Sequence, residues 1–182
     1  MSDQARDQAR DAAARAKQVR LMLFDVDGVL TDGKLWYGAG GEALKAFHVL
    51  DGHGIKLLMQ AGTTVALLSG RRSEAVTARA AELGIQHVLQ GIDDKRSAFE
   101  ALAARLGVPA AETGFMGDEV VDLPVLRRCG FACAPAQAHE LVRDSAHYVT
   151  RAPAGAGAAR AARIRRLRAQ GRLEAALAPY LA

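Results

Sequence analysis

Short apolar runs alternate with helical segments along most of this chain, and that alternation constrains the fold more than any single residue. The glycines Gly62, Gly84, Gly107 and Gly130 each fall just after a helical segment, where a left-handed residue commonly ends a helix. Strands that alternate with helices form right-handed βαβ units, which assemble into a parallel sheet. The sequence therefore predicts an α/β fold with a doubly wound, Rossmann-like parallel sheet.

The predicted elements divide the chain into three parts. Residues 1–18 predict an Ala-rich helical extension, which we expect to be frayed because it has little apolar face. Residues 19–150 form the predicted domain, and residues 151–182 form a flexible tail and a C-terminal helix. The predicted strands span residues 19–24, 64–68, 86–89, 113–116 and 131–134, and the predicted helices span 51–60, 73–83, 95–106 and 123–127.

Residues 33–48 interrupt the alternation of strands and helices. A glycine-rich tip, Gly38–Gly41, separates two short strand-like runs, Lys34–Tyr37 and Glu42–Phe47. Glycines between two such runs are typical of a hairpin turn. We therefore expect a β-hairpin that projects from the edge of the sheet.

Composition narrows the class of protein. The 182 residues suit one domain with short extensions, and 50% hydrophobic with 24% charged residues is ordinary for a soluble protein. We expect no membrane partner, because no apolar run approaches ~20 residues, and a cytoplasmic location, because the N-terminus lacks an apolar secretory region. Much of the net charge of +4 falls in residues 160–172, so we expect no nucleic-acid partner either.

Asp25 and Asp27 end the first predicted strand and enter a turn at Gly28. Residues two apart in a strand share a face, so both carboxylates point to one spot beyond the strand. A polar turn that caps a following helix is the alternative interpretation. However, ligands of open α/β sheets bind at the carboxyl ends of the strands, which favours a chemical role for the pair.

Polar residues also follow the other predicted strands. Ser69 and Gly70 offer a hydroxyl and a backbone N–H before a helix, which suits a phosphate oxygen. Lys95 stands at a helix N-terminus, where a cation opposes the helix dipole. Asp118 and Asp122 follow the fourth strand. Each feature is common by itself, so the prediction depends on their joint placement at one edge of the sheet.

Together these residues predict the chemistry of phosphate monoesters. The carboxylates of Asp25, Asp27 and Asp118 suit Mg²⁺, while Ser69 and Lys95 can donate to phosphate oxygens. Asp25 can attack phosphorus and form an aspartyl phosphate. Asp27 can protonate the leaving oxygen and later deprotonate the water that hydrolyses the intermediate.

The motifs D-x-D-G-x-x-T, S-G-R, a lone lysine and G-D-E-x-x-D, in this order, resemble the four motifs of haloacid dehalogenase superfamily phosphatases. The resemblance implies that Asp25 is the nucleophile and Asp27 the general acid and base. It implies a magnesium cofactor held by Asp25, Asp118 and the backbone carbonyl of Asp27. Glu119 stands where the family often has a second aspartate. Phosphate-binding or supporting roles are implied for Thr31, Ser69, Gly70, Lys95 and Asp122.

Members of this superfamily usually cover the site with a cap domain inserted after the first or second motif. The stretches between the first two motifs and between the second motif and Lys95 are too short for one, so we expect no cap domain. An uncapped site needs a macromolecular substrate or a neighbouring subunit to exclude water. The apolar hairpin residues Trp36, Tyr37 and Phe47 favour the neighbouring subunit.

Residues 30–33, 44–47 and 51–56 resemble a narrower family, the 3-deoxy-D-manno-octulosonate 8-phosphate phosphatases. The resemblance implies hydrolysis of that sugar-acid phosphate in lipopolysaccharide synthesis, by a homotetramer whose sites are shared between subunits. The tail, residues 154–161, lacks the Arg-Glu pair that the family usually carries. The residues that the resemblance places near the sugar are His48, Asp51, Gly52, Lys56, Arg71 and Arg79.

Three alternative functions stay open on the sequence. The same reaction on a nine-carbon keto sugar acid 9-phosphate shares the fold and the motifs. A non-catalytic oligomerisation module of this fold is disfavoured because Asp25, Asp27, Lys95 and Asp118 are all present. A phosphoprotein or nucleic-acid end as substrate requires a monomer, so a tetramer in solution would count against it.

Overall fold

The protein folds into a parallel sheet between two layers of helices. The structure, a computed structural model, describes residues 3–181, with side chains from residue 7 onward. Met1, Ser2 and Ala182, the outermost residues of the predicted extension and tail helix, lie outside the described residues. The strands are β1 (Leu21–Phe24), β2 (Trp36–Gly38), β3 (Gly41–Leu44), β4 (Thr64–Ser69), β5 (His87–Gln90), β6 (Thr113–Met116), β7 (Phe131–Ala134) and β8 (Tyr148–Val149).

The helices follow the predicted alternation. Every strand and helix predicted for the domain is present and differs only at its ends, so the α/β prediction is confirmed. The helix Glu140–Ser145 and the strand Tyr148–Val149 were not predicted. No helix within residues 3–181 is long and apolar enough to cross a membrane. The helices are α1 (Asp3–Gln18), α2 (Val49–Gln60), α3 (Glu74–Leu83), α4 (Lys95–Arg105), α5 (Leu123–Leu126), α6 (Glu140–Ser145), α7 (Ala158–Ala169) and α8 (Leu173–Leu177), with 3₁₀ turns at Ala110–Glu112, Val120–Asp122 and Ala178–Tyr180.

Strand order brings three strand ends together. The six strands of the sheet lie in the order β5-β4-β1-β6-β7-β8, and β1 pairs in parallel with both β4 and β6. The chain therefore runs outward from β1 on one side, then returns and runs outward on the other. At such a switch point the loops diverge and leave a crevice at the carboxyl ends of the strands. Asp25, Ser69 and the loop after Met116 lie at this edge.

The central strand is buried on both faces, which explains its uninterrupted apolar sequence. Met22 and Phe24 face one core with the helices α1, α2, α3 and α7. Leu21 and Leu23 face the other core with α4, α5 and α6. Each fully buried side chain of this size stabilises the fold by roughly 1.5–3 kcal/mol, so β1 and the position of Asp25 are fixed firmly.

The hairpin is a separate antiparallel pair of strands, β2 and β3. Its strands are shorter than predicted, and the glycine-rich tip is where the sequence places it. Between β1 and β4 the chain holds only this hairpin and α2, and between β4 and β5 only α3. The described residues therefore contain no cap domain, as expected.

The N-terminal helix differs from the expected frayed extension. Ala12 and Ala16 are buried in the core beside β1, and α1 packs against α7. The side chain of Arg165 donates to the Ala9 carbonyl, and Gln170 Nε2 donates to the Lys17 carbonyl at 2.8 Å. Alanines allow this close approach without forming an apolar stripe, so the prediction of fraying was wrong.

The segment before α7 is docked and not a flexible tail, contrary to the sequence prediction. Ala154 is buried, and the Gly155 N–H donates to the Val29 carbonyl at 3.0 Å. Both carboxylate oxygens of buried Asp51 accept backbone N–H bonds, from Gly157 at 2.9 Å and from Arg160 at 2.8 Å. Asp51 was expected near the sugar. That contact stays a prediction, and the structure adds that both of its oxygens hold the start of α7.

Candidate active site

The carboxylate of Asp25 lies buried directly after β1. Its Oδ1 accepts the Val26 backbone N–H at 2.7 Å, and its Oδ2 lies 2.8 Å from Lys95 Nζ. Lys95 Nζ also donates to Asp122 Oδ1 at 2.7 Å. Burial opposes the charge of Lys95, yet Asp25 and Asp122 hold the pKa of this lysine above its ordinary value. The ammonium therefore stays charged beside Asp25.

Asp118, after β6, adds a third carboxylate to this spot. Ligand oxygens of Asp25, Asp118 and Asp122 lie within 4.8 Å of one another. Burial and then repulsion by Asp25 and Asp122 raise the pKa of Asp118 to about 7. Burial and then repulsion by Asp122 raise the pKa of Asp25 to about 6, although Lys95 lowers it. Three acids facing one lysine leave an excess of negative charge.

This cluster fits a divalent cation. Asp118 Oδ1 is buried and has no hydrogen-bond partner among the described residues. Gly28 (φ +81°) passes so close that a Cβ there would lie 2.0 Å from Asp118 Oδ2, so only glycine leaves room for this carboxylate. Mg²⁺ prefers hard oxygen donors, and Asp118 Oδ1 is such a donor without a hydrogen-bond partner among the described residues. The Asp27 carboxylate lies outside the cluster, which leaves only its backbone carbonyl as the predicted ligand.

Asp122 supports the loop that carries Asp118. It is fully buried, and its Oδ2 accepts the backbone N–H groups of Asp118 at 3.0 Å and Glu119 at 3.3 Å. Its Oδ1 binds Lys95, as described above. Asp122 therefore couples the lysine to the loop after β6. Glu119 caps the 3₁₀ turn through its own side chain, which accepts the Val120 N–H at 2.7 Å.

The predicted phosphate-binding residues lie at the same edge of the sheet. Ser69 ends β4 and is buried, and its Oγ accepts the Arg71 backbone N–H at 3.3 Å. Gly70 follows it and is exposed. Thr31 is buried in the turn after Asp25, where its Oγ1 accepts the Gly33 N–H at 3.2 Å. Thr31 thus fixes the turn, while Ser69 faces the crevice end of its strand.

The carboxylate of Asp27 is held from the side of the hairpin. Lys45 Nζ contacts Asp27 Oδ1, and Arg71 Nε lies 3.7 Å from Asp27 Oδ2. Arg71 in turn donates through Nη2 to the hydroxyl of Tyr37 at 2.7 Å. The hairpin of this same chain therefore reaches Asp27, in addition to the cover that the sequence predicts from a neighbour's hairpin.

Most of the residues predicted to contact the sugar lie around the start of α2 and the facing side of α3. His48 caps α2, and its Nδ1 accepts the Leu50 N–H at 3.2 Å. Arg79 on α3 pairs with Glu82 at 2.8 Å and lowers the pKa of that carboxyl group. The exposed Lys56 makes a smaller contribution in the same direction. A small cavity of about 10 Å³ at this place, roughly the room of one water molecule, is lined in part by His48, Asp51, Gly52 and Arg79.

Three site residues were missed at the level of sequence: Glu42, Lys45 and Ser73. Glu42 Oε2 lies 3.1 Å from Lys45 Nζ, and Ser73 Oγ donates to Glu42 Oε1. The available signal was a lysine among apolar residues, three positions after a glutamate. Strand alternation alone does not say which face of a short hairpin meets the site.

Comparisons with known proteins agree with this geometry. Residues 88–161 match the model of a family described as haloacid dehalogenase-like hydrolase. Over 168 residues the chain is 43% identical to the 3-deoxy-D-manno-octulosonate 8-phosphate phosphatase KdsC of Yersinia pestis, covering 92% of this chain and 90% of that protein. A probable yrbi family phosphatase from Pseudomonas syringae pv. phaseolica 1448a superposes with a TM-score of 0.93 at 46% identity, covering 95% and 98% of the two chains.

A second solved structure carries bound ligands. It is the 3-deoxy-D-manno-octulosonate 8-phosphate phosphatase from Moraxella catarrhalis, in complex with a magnesium ion, a phosphate ion and a KDO molecule. It is 37% identical to this chain, with a TM-score of 0.91, and the match covers 94% of this chain and 98% of that one. The similarity therefore spans the sheet, the hairpin and the tail helix.

Proposed function

Because this chain belongs to the haloacid dehalogenase-like hydrolases, in the family of 3-deoxy-D-manno-octulosonate 8-phosphate phosphatases, we propose that it hydrolyses that sugar-acid phosphate to the free sugar acid and phosphate. The observation that carries this proposal is the buried Asp25 carboxylate, which lies 2.8 Å from Lys95 Nζ within the cluster of Asp118 and Asp122. A nucleophile, a fixed cation and acids that suit a metal are what phosphoryl transfer requires.

In the first half of the reaction Asp25 attacks phosphorus and forms an aspartyl phosphate. A carboxylate and a phosphate oxygen repel each other by ~4 kcal/mol at 4 Å and an effective dielectric of 20. Lys95 offsets part of this repulsion, because its ammonium stays charged beside Asp25. Ser69 and the Gly70 N–H bind phosphate oxygens at the end of β4, and Asp27 gives a proton to the leaving sugar oxygen.

In the second half, a water molecule attacks the aspartyl phosphate and gives its proton to Asp27, which restores both carboxyl groups. Asp25, Asp118 and the backbone carbonyl of Asp27 would hold Mg²⁺, as the carboxylate cluster and the orphaned oxygen of Asp118 support. When bound, the ion supplies positive charge that neutralises the phosphate oxygens and the nucleophile. Asp122 holds both Lys95 and the Asp118 loop in place: its Oδ1 accepts from the Lys95 ammonium, and its Oδ2 accepts the Asp118 backbone N–H.

The substrate's sugar acid extends from the phosphate towards the hairpin. Arg71 lies beside Asp27 and offers a planar cation for the substrate carboxylate. Arg79, Lys56 and His48 lie further along, at the start of α2 and on α3. Asp51 and Gly52 also shape this region. Asp51 holds the start of α7, and Gly52 leaves room for the Arg79 side chain.

The assembly and setting belong to the same proposal. The hairpin exposes 52% of Trp36 and 51% of Leu44, which pair across its strands, and 62% of Tyr37, and this exposed apolar surface suits packing against other subunits. The enzyme works as a homotetramer with sites shared between subunits. It acts in the cytoplasm, where it supplies the sugar acid for lipopolysaccharide synthesis.

Phosphate release from the purified protein tests the function. With 3-deoxy-D-manno-octulosonate 8-phosphate and Mg²⁺ we expect turnover that a chelator abolishes, and Asp25→Asn should reduce it by at least about 10⁴-fold, because the covalent step is lost. Asp144→Asn, an exposed aspartate on α6, is the matched control and should keep full activity. Activity of Asp25→Asn near that of the control would refute the proposal.

A further inference from the structure

Lys45, at the end of the hairpin, binds the residue to which the proposed reaction assigns the proton transfers. It follows β3, and its Nζ contacts Asp27 Oδ1 of the same chain. On its other side the ammonium lies 3.1 Å from Glu42 Oε2. The hairpin therefore contacts Asp27 through a buried lysine, in addition to any surface it offers to another subunit.

The side chain of Lys45 is only 1% exposed, so the ammonium is enclosed between its two carboxylate partners. An enclosed group of this kind does not meet a substrate in the crevice. Any influence on the reaction must pass through Asp27 or Glu42. Lys45 is therefore not a catalytic residue itself, in contrast to Lys95, whose ammonium lies beside the nucleophile.

Lys45 belongs to a cluster of alternating charges. Asp27 and Glu42 are its acids, and Lys45 and Arg71 are its bases, with Arg71 Nη2 4.0 Å from Glu42 Oε2 and Arg71 Nε 3.7 Å from Asp27 Oδ2. Burial raises the pKa of Glu42, but the Ser73 hydroxyl and Lys45 hold it below its ordinary value. Glu42 is thus ionised and anchors Lys45. The close contacts are those of Lys45 with Asp27 and Glu42, whereas the contacts of Arg71 with these acids, from a side chain that is 41% exposed, are too long for hydrogen bonds.

The two oxygens of Asp27 have different environments. Oδ1 is engaged by Lys45, whereas Oδ2 is buried and has no hydrogen-bond partner within residues 7–181. A carboxyl group transfers a proton through the oxygen that is not already engaged. The arrangement therefore singles out Oδ2 as the oxygen available for chemistry.

We propose that Lys45 is a positioning residue for Asp27, which holds Oδ1 so that Oδ2 delivers the proton to the leaving sugar oxygen. As the bond between Asp25 and phosphorus forms, the bond from phosphorus to the ester oxygen breaks, and that oxygen keeps the electron pair and takes the proton of Asp27. This inference rests on the proposed function, because it assigns Lys45 to one step at the same site.

The test compares two leaving groups in the first turnover. The sugar alkoxide needs a proton as it leaves, whereas p-nitrophenolate leaves as a stable anion without one. We would measure rapid-quench and stopped-flow product release for Lys45→Met, Lys45→Arg and the wild type, with both phosphates and Mg²⁺. Lys34→Met is the matched control, because Lys34 lies at the base of the same hairpin, is exposed and pairs only with nearby Asp32 within the described residues.

For Lys45→Met we expect a first-turnover rate on the sugar phosphate about 10- to 100-fold below wild type, part of the 10²–10⁴-fold that general acid catalysis contributes. Release of p-nitrophenolate should fall by less than about threefold, since the acid is not needed for it. KM for the sugar phosphate should stay near the wild-type value. Lys45→Arg should recover most of the lost rate, and Lys34→Met should match the wild type throughout.

Equal losses on both phosphates would overturn the inference, because they would indicate a structural role for the hairpin anchor or a misfolded variant. An unchanged sugar-phosphate rate in Lys45→Met would overturn it as well. Failure of the proposed function gives a different result: the wild type itself would then cleave p-nitrophenyl phosphate but not 3-deoxy-D-manno-octulosonate 8-phosphate. The two failures are therefore distinguishable in one set of measurements.

Discussion

Among single residues, the carboxylates of Asp25 and Asp118 are the groups whose charge most depends on their surroundings. Without a cation their pKa values are raised to about 6 and about 7, mainly by burial. In the unfolded chain a carboxyl group titrates near ~3.9. Between these values the folded protein binds more protons than the unfolded chain. The stability of the metal-free protein therefore falls as pH rises through this range.

We expect Mg²⁺ to raise the midpoint of thermal unfolding much more at pH 8 than at pH 5. At the higher pH the ion neutralises ionised carboxylates that otherwise destabilise the fold, whereas at the lower pH it must first displace protons. Thermal unfolding with Mg²⁺ and with chelator, at a series of pH values, measures the difference. The variant Asp118→Asn should lose most of this pH dependence; an equal effect of Mg²⁺ at both pH values would contradict the assignment.

The sequence identifies those site residues whose position follows from the neighbouring stretch of chain. Asp25, Ser69 and Asp118 each lie within two residues of the end of an apolar strand, and parallel strands bring such positions to one edge. Lys45 has no such signal, because its contact with Asp27 depends on how the hairpin folds back over the sheet. Asp51 likewise gave no local signal of its bonds to the tail, because these partners lie more than a hundred residues away along the chain.

At the level of elements, the tail and α7 form part of the core and not an appendage. Ala158, Ala159 and Ala162 are buried against α2 and α1, so α1, α2 and α7 form one layer. Small residues permit this packing without giving a periodic apolar pattern, and for that reason the sequence predicted flexibility. The start of α7 lacks a side-chain cap of its own, and Asp51 on α2 supplies the acceptors.

Asp51→Asn should therefore destabilise the protein more than it impairs binding. The amide keeps one acceptor and turns a donor towards a backbone N–H, which costs about 1–3 kcal/mol for a buried group. For a chain of this length, the midpoint of thermal unfolding falls by about 2–4 °C per kcal/mol. Calorimetry measures the loss, and limited proteolysis should cut near residue 155 more readily than in wild type.

Asp144→Asn is again the control and should leave the unfolding midpoint unchanged, because Asp144 is exposed on α6. Kinetics distinguish the tail contact from the sugar contact that the sequence suggested. If Asp51 bound the sugar directly, the variant would raise KM strongly while its unfolding midpoint stayed near that of the control. That pattern would contradict the role in holding the tail.

At the scale of the whole molecule, the hairpin has two functional sides. Its polar side, with Lys45 and Glu42, completes the site of its own subunit. Its apolar side, with Trp36 and Leu44 paired across the strands, is exposed. The separation means that assembly and acid catalysis can be changed independently. An uncapped site that opens to water would then gain cover from the proposed association of subunits.

Trp36→Glu should accordingly separate the two roles. A charge on the exposed apolar side disfavours association, so light scattering should give a smaller species than the tetramer proposed for the wild type. Activity on 3-deoxy-D-manno-octulosonate 8-phosphate should fall at least about tenfold, equivalent to about 1.4 kcal/mol of transition-state stabilisation, because the neighbour no longer closes the site. Activity on p-nitrophenyl phosphate should change little, since Asp25, Asp27 and Lys45 all belong to one subunit.

Leu141→Glu, an equally exposed leucine on α6, serves as the control for added charge. A variant that stays tetrameric, or a dissociated one that keeps full activity on the sugar phosphate, would contradict the shared site.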